Sequence, residues 1–206
     1  GNTLEFALDV RADEAAQVVL EITSLQVGYL RLDRRMRAMA AGDPDTPCVE
    51  NYACHVTEAN RPAGQATVAL TIQNRFLCTG TMLNNTARDN TPYLLTARHC
   101  ASGSFSPVTA DVAPAVVIYW NAMTPCGEPL GQVLYSPSPQ RQAGARTVFE
   151  QKDTWVMRLD EGPNVDGVHL AGFDASGGEV DGGYAIHFAV LYNKQYTRWH
   201  GRAFRY

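Results

Sequence analysis

The residues best able to do chemistry lie between Cys78 and Cys100. Cys78-Thr79-Gly80-Thr81-Met82-Leu83 is followed, one turn later, by Tyr93-Leu94-Leu95-Thr96-Ala97-Arg98-His99-Cys100. An apolar run thus ends in a histidine and a cysteine, with a second cysteine one hairpin upstream. A histidine beside a disulfide is held on a short, stapled turn. Such rigidity suits a general base, whose imidazole must be aimed at a nucleophile within hydrogen-bond reach. Two other readings compete. A lone histidine in a β core is commonly structural. Cys54, His55, His99 and Cys100 could also ligate a metal, although adjacent Cys-His pairs are not typical zinc spacing, and stoichiometric zinc in the pure protein would support that reading.

The elements that must position His99 read as short strands divided by turns. From Ala66 onward the candidates are Ala66–Gln73, Phe76–Leu83, Tyr93–Thr96, Ala115–Asn121, Thr147–Glu150, Thr154–Leu159, His169–Phe173 and Tyr184–Tyr192. Asp89-Asn90, Ser102-Gly103, Ser136-Pro137, Gly162-Pro163 and Gly177-Gly178 punctuate them. Many short strands without long amphipathic helices argue for an all-β barrel or sandwich. Upstream, Thr3–Val10 alternates apolar and polar residues, and Val18–Leu32 is apolar and β-branched. Together they read as a hairpin with a loose loop, with a helix over Ala15–Ile22 as the alternative. Arg31, Arg34, Arg35 and Arg37 then precede an Ala/Gly/Asp/Pro-rich stretch, Ala38–Pro47, which is the best linker candidate. The arginines suit either a processing site or a solvated charge cluster.

Composition narrows the class. The 206 residues are 45% hydrophobic with a formal net charge of −4, which gives no electrostatic case for nucleic acid or an anionic membrane surface. The longest apolar run, Val112–Trp120, is too short to span a bilayer. The chain begins with Gly1 and carries no signal peptide, so an earlier targeting segment is compatible with it. Its five cysteines, Cys48, Cys54, Cys78, Cys100 and Cys126, contain no C-x-x-C pair. Long irregular spacings in a turn-rich β sequence point to disulfides and an oxidising compartment. The odd number leaves one cysteine as a buried free thiol, or as the partner of a cysteine in another segment.

The Cys78–Cys100 segment resembles the histidine motif of the chymotrypsin-like serine proteases. The resemblance narrows to the lysyl endopeptidase group of bacterial secreted proteases over Cys48 to about His187, roughly two thirds of the chain. Its other carriers are Cys48 and Cys54, Leu83-Asn84-Asn85-Thr86, Val117-Ile118-Tyr119-Trp120-Asn121, Cys126, Asp153-Thr154, Ala171-Gly172-Phe173-Asp174 and Ala185-Ile186-His187. The resemblance implies a catalytic role for His99. In this family a buried carboxylate follows the histidine and opens a strand, where it fixes the imidazole tautomer. Asp153 fits, since the apolar run Thr154–Leu159 follows it. Asp111 leads into a Pro-containing stretch and Asp160 closes a strand, so both fit less well. The same resemblance implies the pairs Cys78–Cys100 and Cys54–Cys126, with Cys48 joined to a cysteine beyond this sequence. The segment before Arg34 is similar to the end of that group's pro-domain.

The third member of a serine triad is expected in a Gly-x-Ser-Gly setting, which supplies the oxyanion hole. No such segment occurs. Asp174-Ala175-Ser176-Gly177-Gly178 is a look-alike, but it follows Asp153 too closely, and the resemblance places it in a surface loop. The stretch Phe188–Lys194 departs from the family's His-Pro and Lys-Arg-Ile-Ser-like pattern, and Arg198–Tyr206 matches none of it. The acidic residue lining the family's primary pocket also has no counterpart, so preference for lysine or arginine is not readable.

The expectation is an all-β chain with a chymotrypsin-like six-stranded first barrel and the start of a second. Residues 1–45 would be the pro-domain tail and linker, 46–165 the first barrel, and 166–206 the beginning of an incomplete second barrel. By resemblance the protein is a secreted or periplasmic serine endopeptidase made as a zymogen, with His99 as base, Asp153 as orienting carboxylate and a serine beyond Tyr206. It needs no metal or organic cofactor. Its partners are protein or peptide substrates, its own pro-domain and a C-terminal half, with no nucleic acid or membrane. This chain alone is expected to be inactive. The competing reading is a non-catalytic protease-like binding domain or a truncated pseudo-protease.

Overall fold

A computed structural model describes residues 11, 50–73, 76–102, 112–131, 133, 140–174, 176, 178, 180–189 and 192–201, without the side chains of 76, 77 and 102. The expected N-terminal hairpin, the arginine cluster, Cys48 and Asp111 lie outside these residues. The described chain is nearly all β. Its strands are β1 (Glu50–Asn51), β2 (Thr67–Ile72), β3 (Phe76–Leu83), β4 (Tyr93–Ala97), β5 (Val116–Trp120), β6 (Gln140–Ala143), β7 (Ala145–Gln151), β8 (Thr154–Leu159), β9 (Gly182–His187) and β10 (Gln195–His200). Two short helices, α1 (Arg61–Ala66) and α2 (His99–Ser102), complete the regular structure along with two single 3₁₀ turns.

Seven strands form one antiparallel sheet in the order β6-β5-β2-β3-β4-β8-β7. Its two edge strands, β6 and β7, are consecutive in the chain and separated only by Gly144. The sheet therefore curls until its edges meet end to end. Gly144 makes this possible with φ +95°, a left-handed value that L side chains rarely adopt, and a Cβ there would stand 2.8 Å from Asp160 Oδ2. Counted as one strand bent at Gly144, β6 and β7 leave six strands, as expected for the first barrel of a chymotrypsin-like double barrel.

Alternation fills the curl. Val68, Leu70 and Ile72 of β2 face inward with Leu94 of β4, Ile118 and Trp120 of β5, and Trp155, Met157 and Leu159 of β8, all buried. Strand β2 is unusual in being buried at every position. Its outer face is small, Thr67, Ala69 and Thr71, and Ala69 packs in a second cluster with Tyr119, Ala122, Val133 and Phe188. That second layer joins the barrel to a three-stranded sheet, β1-β10-β9, in which Glu50 pairs Tyr196 and Tyr196 pairs Ile186. Glu50–Asn51 is thus spatially part of the second sheet, far in sequence from its neighbours.

The strands differ from expectation in the C-terminal third of the chain. His169–Phe173 forms only a single parallel bridge, Ala171 to Leu83, instead of a strand. The strand expected over Tyr184–Tyr192 is β9 and ends at His187, because Phe188 turns into the second cluster and its N–H donates to Thr79 Oγ1 at 2.9 Å. Strand β10 covers Gln195–His200, where no strand was expected, and so takes in the start of the Arg198–Tyr206 stretch that matches no family pattern in the sequence.

At the join between the sheets, Lys194 is 1% exposed. Its ammonium donates to the Gly64 carbonyl of α1 and lies 5.7 Å and 5.8 Å from the Tyr52 and Phe188 ring centroids. No carboxylate pairs with it among the described residues. Burial without a counter-charge pushes its pKa down to about 8.

Candidate active site

His99 begins α2, with only Arg98 between it and the end of β4. The Cys78–Cys100 disulfide ties the next residue to β3, so the histidine is fixed from both sides of its turn. Asp153 occupies the two-residue turn between β7 and β8, where Gln151 faces Thr154. Lys152 takes φ +52° to make that turn tight. Pairing of β4 with β8, Ala97 opposite Thr154, then brings the two turns together.

The contacts are specific. His99 Nδ1 lies 2.9 Å from each carboxylate oxygen of Asp153. The His99 backbone N–H donates to Asp153 Oδ1 at 3.0 Å, and the Arg98 N–H donates to the Asp153 carbonyl at 3.0 Å. Arg98 Nε pairs in turn with Glu150 of β7. These hydrogen bonds, the His99 N–H first and its ring second, hold the Asp153 carboxyl below the usual carboxylate range. An ionised carboxylate only accepts, so it fixes the proton on Nδ1 and leaves Nε2 as the basic atom.

The expected burial of the carboxylate is not met. The side chains of His99 and Asp153 are 47% and 45% exposed. Asp153 sits at the tip of a surface hairpin, and nothing among the described residues covers it.

Ser176 is not joined to this pair. Its N–H donates to Asp174 Oδ1 at 2.8 Å and its Oγ accepts from the Gly178 N–H at 3.4 Å, a local turn in an exposed loop. The metal reading fails on the cysteines themselves. Cys54 is bonded to Cys126 and Cys100 to Cys78, so neither offers a thiolate. Among the described residues no three His, Cys, Asp or Glu side chains converge. Asp160 stands at Gly144, its N–H donating to the Gly144 carbonyl at 3.3 Å, where it serves the bend. No helix among the described residues is long and apolar enough to cross a membrane.

The family model "Lysyl endopeptidase, C-terminal domain" matches residues 42–198, which extends past His187 through most of the β9–β10 hairpin. Among solved structures the chain is similar to the scabies mite inactivated protease paralogue S-D1, at 12% identity and a TM-score of 0.40. The likeness covers 68% of this chain, and the chain spans 59% of the length of that one.

Proposed function

The chain belongs to the lysyl endopeptidase C-terminal domain family, and on that premise we propose that His99 and Asp153 are the general base and orienting carboxylate of a serine endopeptidase. The observation that carries this reading is the doubly anchored carboxylate, which meets the His99 ring and backbone together. In acyl transfer, Nε2 of such a histidine takes the proton of a serine hydroxyl as it attacks the scissile carbonyl, then returns it to the leaving amine. Asp153 keeps Nδ1 protonated and stabilises the imidazolium formed in between. The two disulfides and the family are consistent with an extracellular location, and we extend this to secretion into an oxidising medium.

The sequence lacks a Gly-x-Ser-Gly segment. The chain by itself is therefore proposed to have no peptidase activity, and its half-exposed pair favours a second reading as a protease-like domain without turnover. Fluorophosphonate labelling of the pure chain, mapped by mass spectrometry, tests this directly. No adduct is expected. An adduct at Ser176 would mean that this short chain holds a working serine. The role of His99 is tested separately by ¹⁵N NMR of the imidazole. A neutral ring protonated on Nδ1, changing when Asp153→Asn is made, supports the pairing, and an Nε2-protonated ring sinks it.

A further inference from the structure

The second sheet carries a groove of about 650 Å³ that neither His99 nor Asp153 lines. Alternation places Tyr196, Arg198 and His200 of β10 on one face, and register sets Tyr184 opposite Arg198 and Gly182 opposite His200. Segment 54–60 forms the other wall. Across this groove His55 stacks on Tyr196 at 4.8 Å with planes 7° apart, and Tyr184 stacks on Tyr196 at 5.7 Å and 23°. The three rings make a column that ends at Tyr184, which is 39% exposed. Glu50 pairs with His55 at the far end of the column. Arg198 and His200 are exposed and make no ion pair among the described residues.

We propose that this groove binds an aromatic carboxylate, whose ring extends the column beyond Tyr184 and whose carboxylate is taken by Arg198 with His200 beside it. The volume lies within the roughly 300–1,000 Å³ typical of small-ligand clefts. Offset stacking rewards a flat ring on an open aromatic end, and a guanidinium matches a carboxylate in two parallel hydrogen bonds. A single guanidinium with one imidazole suits a monoanion better than a polyphosphate, which calls for several cations or a nest of N–H groups. The same chemistry arises from a free aromatic acid or from an aromatic residue at a peptide's C-terminus. The proposal does not rest on the protease reading.

The test is a ¹H–¹⁵N NMR titration of the whole chain with three probes: N-acetyltryptophan, N-acetyltryptophanamide, and N-acetyl-Gly-Gly-Trp with a free carboxyl. The acid should shift Tyr184, Tyr196, Arg198 and His200 saturably, and the amide should bind at least about tenfold more weakly. Arg198→Gln, an exposed change that leaves the fold intact, should erase that difference, and Tyr184→Ala should weaken both probes. A tripeptide about tenfold tighter than the acid identifies a peptide terminus as the source, and equal or weaker binding identifies the free acid. Equal binding of acid and amide, an acid–amide difference that survives Arg198→Gln, or shifts confined to other residues, overturns the proposal.

Discussion

The two sheets differ in how they are held. The seven-stranded sheet is filled by its own alternating apolar residues and curls until its edges meet at Gly144. The three-stranded sheet has little interior of its own. Tyr184 and Trp199 are 39% and 38% exposed, and the residues buried at its root, Asn193, Lys194 and Gln195, are polar. It leans on the barrel through Phe188, the Thr79 hydroxyl and the Gly64 carbonyl. The His99–Asp153 pair sits wholly on the self-filled sheet, while the aromatic groove sits on the dependent one. Stability and candidate chemistry therefore share one half, and the other half is free to vary its surface.

The sharpest way to break this contrast is through the disulfides. Cys54–Cys126 closes a separation of 72 residues and links the segment after β1 to the loop after β5. Replacing both cysteines by serine should cost about 4 kcal/mol, against about 3 kcal/mol for Cys78–Cys100 with its separation of 22, measured by denaturant unfolding. Loss of the second should also disturb the His99 ring resonances, because it frees α2 from β3.

Core truncation comes next. Met157→Ala, in the barrel interior, should cost about 3 kcal/mol. Tyr184→Ala on the second sheet should cost less than about 1 kcal/mol. Equal losses would mean that the second sheet is as self-supporting as the first.

Lys194 supplies a pH arm. Its folded pKa is depressed to about 8, so between that value and the unfolded lysine pKa the unfolded chain binds more protons. Stability should therefore rise with pH over this window, by about 1–2 kcal/mol between pH 8 and 9.5, and Lys194→Met should flatten the rise. Tyr52, raised mainly by burial and then by Tyr184, acts in the opposite sense above its ordinary pKa, which is why the window stops short of pH 10.

The smallest effect belongs to the candidate site. Asp153 has a lowered pKa, so its stabilising contribution is present above the ordinary carboxylate range and fades as pH falls through the folded value. Because the pair is exposed, Asp153→Asn should leave the unfolding midpoint nearly unchanged while altering the His99 tautomer.

Much of the barrel was legible in the sequence. Phe76–Leu83 and Thr154–Leu159 fall at the expected limits, because apolar alternation and flanking turns mark strands that face a core. The candidates His99 and Asp153 come from a histidine motif and its family resemblance, and the structure sets the His99 ring 2.9 Å from the Asp153 carboxylate. Strand β6, Gln140-Arg141-Gln142-Ala143, was not legible, since a mostly exposed edge strand carries no apolar period. Helix α1 is too short to show a helical period. The sequence of β10 is polar and aromatic because its partners are a surface groove and a thin sheet. The exposure of Asp153 was hidden because covering a turn depends on distant segments, and the burial of Lys194 carries no local sequence signal for the same reason.

The bend at Gly144 has a kinetic meaning. Strands β6 and β7 sit at opposite edges of the sheet, paired with β5 and β8, yet they hang from one residue. A barrel that parts at this seam loses both edges at once. Their amides should therefore exchange with solvent as a single cooperative unit, ahead of β2 and β3 at the centre, so that the molecule opens like a clasp rather than fraying from one side.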